Sequence, residues 1–153
     1  MHFLTVQDLM SSPVITIPPH TRLPMIKQLM RLKRIHRLPV VDCGKLVGII
    51  TLGDVRNAYP SDALSLVHEH RPPALDKVFA GEIMRTDVIT IQVGMPVIGA
   101  VSLMLQHKIN GLPVMDRERL VGIITKSDVC RALVAADRAL TPNMNEISLG
   151  AGG

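Results

Sequence analysis

Apolar and polar residues follow two patterns along this chain: short continuous apolar runs, and longer stretches in which apolar residues recur with helical spacing. Residues 14–17 form a mostly β-branched run that ends at a proline, which predicts a strand. Apolar positions then recur every three or four residues over about 23–35, which predicts an amphipathic helix. Two further apolar runs, 38–41 and 46–50, flank a glycine-containing turn and predict a hairpin. A second helix should span about 53–58, because a proline follows it.

The same pattern occurs a second time. Residues 6–59 align with residues 80–133 without gaps, and the match is strongest where 46–55 falls on 120–129. The second copy therefore predicts a strand at 88–91, a helix at about 97–109, a hairpin, and a helix at about 127–139. We expect a further short helix at about 75–84 to lead into it. The helix at 97–109 is apolar almost all round, so it should be more deeply buried than its counterpart.

Each copy is a β-α-β-β-α unit of about 55 residues, near the lower size limit for independent folding. Two such units are expected to bury apolar sheet faces against each other. We therefore predict an α/β protein of two repeats packed with pseudo-twofold symmetry through their sheets. The expected boundaries are a first repeat at 1–59, a linker at 60–76, a second repeat at 77–139 and a flexible C-terminal tail at 140–153.

The composition favours a compact protein, since 47% of the 153 residues are hydrophobic and 20% are charged. No run approaches the roughly 20 apolar residues of a membrane helix, and no signal peptide is recognisable, so we expect a cytoplasmic location and no membrane partner. The net charge of +4 permits weak attraction to phosphates. With no Trp, one Tyr and two Phe, the chain lacks stacking platforms for single strands, so nucleic acid is not an expected partner.

Candidate chemistry lies where the last strand of each copy meets a helix. Thr51 and Asp54 stand there in the first copy, and Thr125 and Asp128 in the second. A carboxylate at this place can accept two hydrogen bonds from a ribose diol, and the helix N-terminus attracts anions. The same Thr-x-x-Asp spacing is also a helix capping pattern. Both roles remain open at this stage, and they can coexist.

The recurring segments Gly-Ile-Ile-Thr-x-x-Asp and Leu-Pro-Val-x-Asp resemble the CBS-domain family, named after cystathionine β-synthase. The resemblance covers both repeats. It implies a tandem pair, also called a Bateman module, with two clefts between the repeats that often bind AMP, ATP, S-adenosylmethionine or related adenosine compounds. Such pairs commonly form flat homodimers and regulate enzymes, channels or transporters.

Within this resemblance, four apolar residues provide walls for an adenine, although core packing is their simpler role. His36 and Arg37 stand where some relatives contact phosphate, so the cleft that contains them and Asp54 should suit a nucleotide better than the other cleft. Lys126 is assigned to the second cleft. The candidate ligand-binding residues are Val14, Ile15, His36, Arg37, Thr51, Asp54, Val88, Ile89, Asn110, Gly111, Thr125, Lys126 and Asp128.

No nucleophile with an activating base, phosphate-binding glycine loop or metal-ligand spacing is recognisable, so we expect neither catalysis nor a required cofactor or metal. The expected function is regulatory sensing of an adenosine-containing ligand, an adenine nucleotide or S-adenosylmethionine. The expected partners are a second copy of the chain and a regulated enzyme or transporter. The alternative is a ligand-free module that only dimerises or docks another protein.

Overall fold

A computed structural model describes residues 3–59 and 75–140. The elements of the first repeat are α1 (Val6–Leu9), α2 (Leu23–Lys33), β1 (Arg37–Asp42), β2 (Lys45–Thr51) and α3 (Leu52–Ala58). A 3-10 turn (Leu75–Lys77) precedes the second repeat, which contains α4 (Ala80–Ile83), β3 (Ile91–Gln92), α5 (Val97–His107), β4 (Gly111–Asp116), β5 (Arg119–Thr125) and α6 (Lys126–Leu140). Residues 60–74 and 141–153, which hold most of the predicted linker and tail, lie outside the described residues.

The two hairpins have the same register, which follows from their similar sequences. β1 pairs antiparallel with β2, and the register shifts between Val40 and Val41. β4 pairs antiparallel with β5, and the shift falls at the equivalent place, between Val114 and Met115. β3 adds a parallel third strand beside β4. β2 also contacts β5, so the predicted α/β class and the packing of two repeats through their sheets are confirmed.

Each repeat completes the core of the other. The core of the first repeat includes Leu75 and Ala80, which follow it along the chain. The core of the second repeat includes Val6, from the very start of the first. The exchange extends to the sheets, because Ser11 bridges β5 and Arg85 bridges β2 through paired backbone hydrogen bonds. The two repeats are therefore interlocked, and neither closes its core with its own residues.

Two predicted helices end earlier than expected. α2 and α5 stop at Lys33 and His107 rather than near 35 and 109. The next residues, Arg34 and Lys108, adopt left-handed backbone conformations with φ of 53° and 54°, and their N–H groups bond back to carbonyls of the last turn. This is a C-terminal capping geometry, and it occupies a position that helical periodicity alone cannot locate.

The predicted first strands are mostly wrong. Within the predicted strand at 14–17 only Ile17 forms a bridge, and in the second repeat the strand is Ile91–Gln92 rather than 88–91. The predicted helix at 75–84 is broken into the 3-10 turn and α4, because Phe79 is extended. The two first strands thus pair with β1 and β4 over only one and two residues.

Deeper burial of α5 was also a wrong expectation. In this single chain α5 buries only Ala100 and Met104, whereas α2 buries three residues. Ile98 and Leu105 of α5 are 70% and 65% exposed. A helix that lies on one side of a sheet buries one face whatever its composition, so the additional apolar residues of α5 face outward.

Candidate ligand-binding cleft

A cleft of about 580 Å³ lies between the two repeats. It forms where β1 begins, where β2 ends, and where the chain passes from α5 into β4, and residues 85–89 close its side. Seven of the predicted site residues line it: His36, Arg37, Thr51, Val88, Ile89, Asn110 and Gly111. The structure thus brings residues from both repeats to one cavity, as an interlocked pair requires.

The other six predicted residues do not line this cleft. They are Val14, Ile15, Asp54, Thr125, Lys126 and Asp128. Val14 is half-buried, whereas Ile15 and Lys126 are exposed. The two aspartates lie one helical turn into α3 and α6 and are described next.

Asp54 forms a capping box with Thr51 at the start of α3. Its Oδ2 accepts hydrogen bonds from the backbone N–H of Thr51 at 2.8 Å and from the Thr51 hydroxyl at 2.9 Å. The Asp54 N–H in turn donates to the Thr51 hydroxyl at 3.3 Å. The second carboxylate oxygen, Oδ1, accepts a hydrogen bond from Nε of Arg85 at 3.4 Å. One oxygen is thus engaged in capping, and the other faces an arginine that is 64% exposed.

Asp128 repeats this arrangement at the start of α6. Its Oδ2 accepts from the N–H and the hydroxyl of Thr125 at 2.8 and 3.0 Å, and its own N–H donates back at 3.3 Å. Its Oδ1 accepts from Nη2 of Arg131 at 2.6 Å, and that arginine is 72% exposed. The capping role considered from the sequence is therefore present in both repeats. In each, the oxygen left for a further acceptor role is held by an exposed side chain.

Arg37 crosses from the first repeat onto the second. A Cβ atom built on Gly111 would lie 2.8 Å from both Cδ and Nε of Arg37, so the arginine side chain lies directly on this glycine. Gly111 is the residue of the second repeat that is equivalent to Arg37. Because it has no side chain, it leaves room for the side chain of Arg37. Burial lowers the pKa of Arg37, and the negative charge of Asp128 opposes that shift. Its charge therefore acts on the second repeat as well as on the cleft.

The cleft is predominantly cationic. Arg37, Arg85 and Lys108 line it together with two histidines, and Asp87 is its one carboxylate among the described lining residues. Positive charge in a partly enclosed cleft raises the local concentration of anions. Arg85 was missed by the sequence analysis. The only sequence signal for Arg85 is its basic character just before the apolar run at 88–91. The equivalent position of the first repeat is a serine, Ser11.

Other kinds of site find no support in the part of the chain that the structure describes. Over residues 3–59 and 75–140, no cluster of three potential metal ligands is present. None of the helices in these ranges is long and apolar enough to cross a bilayer.

The fold and the cleft define a tandem-repeat module whose two halves jointly enclose a cavity. The sequence profile of the CBS domain matches residues 6–61 and again residues 80–135, so the chain belongs to the CBS domain family. A CBS domain-containing protein of Dictyostelium discoideum is 37% identical over 139 residues, which cover 90% of this chain and 96% of that protein.

Solved CBS-domain structures resemble this fold closely. The CBS domain pair of protein MJ0100, in complex with 5′-methylthioadenosine and S-adenosyl-L-methionine, has a TM-score of 0.73 and 32% identity, covering 88% of this chain and 99% of that one. The structure of CBSX2 in complex with AMP has a TM-score of 0.72 and 25% identity, covering 88% and 98%. The shared element of these three ligands is an adenosine group.

Proposed function

We propose that this protein is a non-enzymatic regulatory module that binds a phosphate-bearing adenosine ligand in the cleft between its repeats and transmits the occupancy to a partner enzyme or transporter. The observation that carries the proposal is the cationic cleft of about 580 Å³ built from both repeats. That volume falls within the range of about 300–1,000 Å³ typical of small-molecule sites.

The charge of the cleft favours a nucleotide over S-adenosylmethionine. The MJ0100 and CBSX2 complexes support the adenosine part, and they hold ligands with and without phosphate. S-adenosylmethionine carries a sulfonium cation, which the three cations at the cleft would repel. AMP, ADP or ATP instead offers phosphate oxygens that arginine can bind through two parallel hydrogen bonds.

Each part of the ligand has a proposed set of contacts. Val88 and Ile89 of the second repeat form an apolar wall for the adenine. Asp54 does not line the cleft itself, but its Oδ1 is held by Arg85, which does, and it accepts the ribose diol when the ligand displaces that arginine. Arg37 contacts phosphate together with His36, which also lines the cleft. Thr51 holds the carboxylate of Asp54 in place from the opposite side.

The proposal is tested by calorimetric titration of ATP, AMP and S-adenosylmethionine into the wild type, Asp54→Ala and Asp128→Ala. Losing a charged hydrogen-bond partner costs about 1.5–3 kcal/mol, so Asp54→Ala should weaken nucleotide binding roughly ten- to hundredfold. Asp128→Ala is the matched control because it removes the same two carboxylate capping hydrogen bonds in the other repeat, while the backbone N–H of residue 128 still donates to Thr125. Both variants should lose similar stability, on the order of 1 kcal/mol.

The expected result is nucleotide binding by the wild type that is lost preferentially in Asp54→Ala. In a thermal melt, ligand at about 100 times its dissociation constant should stabilise the wild type by roughly 2.7 kcal/mol. Unchanged nucleotide affinity in a folded Asp54→Ala variant, or a larger loss in Asp128→Ala, would show that this cleft or this role is wrong.

A ligand-free docking or dimerisation module is the second candidate. It is favoured by the carboxylates of Asp54 and Asp128, each of which already accepts hydrogen bonds from capping donors and an arginine without any ligand. It is also favoured by exposed Ile98 and Leu105 on α5, which suit contact with a second copy. This candidate predicts no stabilisation by any of the nucleotides.

A further inference from the structure

Arg85 connects the candidate cleft to the carboxylate of Asp54. It lines the cleft, and its Nε donates a hydrogen bond to Oδ1 of Asp54 at 3.4 Å. Arg85 lies between α4 and β3 of the second repeat, whereas Asp54 lies in the first turn of α3 in the first repeat. One ion pair between the repeats therefore joins the carboxylate proposed for the ribose to the cavity proposed for the rest of the ligand.

The backbone of Arg85 is fixed, but its side chain is open to solvent. The N–H of Arg85 donates to the carbonyl of Ile49 in β2 at 2.9 Å, and the carbonyl of Arg85 accepts from the Ile49 N–H at 3.0 Å. The side chain of Arg85 is 64% exposed, whereas that of Asp54 is 12% exposed. Exposed side chains change rotamer within nanoseconds. The guanidinium can therefore leave Asp54 for another anion in the cleft while the main chain stays in place.

The second repeat neutralises its equivalent aspartate in a different way. Asp128 accepts from Arg131, which lies three residues further along the same helix, at 2.6 Å. Arg131 does not line the cleft. The position equivalent to Arg85 is occupied by Ser11, which cannot form such an ion pair. A capping aspartate in this fold thus has no general need of an arginine from the other repeat, and the use of one in the first repeat alone points to a role in the cleft.

The ion pair penalises any ligand whose ribose takes Oδ1 of Asp54. Arg85 must leave this oxygen before a ribose hydroxyl can donate to it, so guanidinium and ribose compete for one acceptor. A nucleoside brings no anion for the displaced guanidinium. A nucleotide does, because a guanidinium binds phosphate oxygens through two parallel hydrogen bonds. The competition therefore disfavours nucleosides, whereas the new contact with phosphate offsets it for nucleotides.

We propose that Arg85 determines the specificity of the cleft for phosphate-bearing ligands, because it competes with the ribose for Asp54 and moves to phosphate when the ligand carries one. This inference rests on the proposed function, in which a ribose binds at Asp54. It goes further, since it assigns the discrimination between nucleotide and nucleoside to one residue that Asp54 holds in the ligand-free chain.

The test compares calorimetric titrations of ATP and adenosine into the full chain and its Arg85→Gln variant. Removing the competitor should strengthen binding of both ligands about two- to fivefold, which is the range of a partly exposed ion pair. Loss of the phosphate contact affects ATP alone and should weaken it roughly ten- to hundredfold. Adenosine should therefore bind more tightly and ATP more weakly, and the preference for ATP should fall roughly ten- to hundredfold.

Two further variants separate the charge from its position. Arg85→Lys keeps the charge and should retain more of the preference for ATP than Arg85→Gln does. Arg131→Gln is the matched control, because it removes the equivalent ion pair of Asp128 away from the cleft, and it should leave both affinities within about twofold. Thermal melts establish that each variant is folded. A preference for ATP in Arg85→Lys no greater than in Arg85→Gln would overturn the proposal.

The remaining outcomes distinguish this inference from the proposed function. If Arg85→Gln weakens ATP and adenosine by the same factor, Arg85 only supports the structure of the cleft. If it changes neither affinity, the ligand does not reach Arg85. Either result overturns the inference, whereas ATP binding that Asp54→Ala weakens would still uphold the proposed function. No binding of ATP by the wild type would overturn both.

Discussion

Replacing Gly48 by alanine tests how the two repeats are interlocked. A Cβ atom at Gly48 would lie 2.5 Å from Sδ and 2.8 Å from Cγ of Met84, and 3.0 Å from the carbonyl oxygen of Arg85. The methionine end can move, but the carbonyl cannot, because it accepts the Ile49 N–H in the bridge between the repeats. Overpacking of this kind costs about 1–3 kcal/mol, so the alanine should destabilise the whole molecule.

Thermal unfolding followed by circular dichroism measures this loss. In a chain of this size 1 kcal/mol shifts Tm by about 2–4 °C, so Gly48→Ala should lower Tm by roughly 2–12 °C. Gly94→Ala is the control, because no atom lies within 4 Å of the Cβ position there. Adding Met84→Ala to Gly48→Ala should recover less than the full loss, since the clash with the carbonyl remains. A Gly48→Ala melt matching that of Gly94→Ala would refute the close approach of the two repeats.

Three further outcomes are expected. A chain of residues 1–72 should lack a cooperative melt, because the core of the first repeat includes residues that follow position 72; a monomeric fragment as stable as the full chain would contradict this. Gly111→Ala should displace Arg37 and weaken ATP binding about tenfold in calorimetry, while adenosine binding stays unchanged. We expect a homodimer through helices of both repeats, in which exposed Leu105 of α5 takes part, so Leu105→Glu should reduce self-association in sedimentation, whereas Lys45→Glu on a strand should not.

The local elements were largely predictable, whereas the exchange between repeats was not. Both hairpins and the helices that follow them have strong periodicity and clear turn residues, so their existence follows from local physics. Val6 and Ala80 are small apolar residues in four-residue helices. Their spacing in the sequence does not indicate in which of the two cores each is buried. Only the three-dimensional path places each in the core of the other repeat. The local sequence pattern therefore predicts the helices and strands, but it does not predict which residues pack into the core of the other repeat.

The residues of the candidate site also divide into those that the sequence could predict and those that it could not. Thr51 and Asp54 were recognisable because a strand-to-helix junction needs a cap, and the duplication marked the position twice. Arg85 lies 31 residues from Asp54 and reaches it only through the bridge to β2, so no local signal could connect the two. Arg37 was assigned to one cleft from its position, but its contact with Gly111 extends its influence to the second repeat.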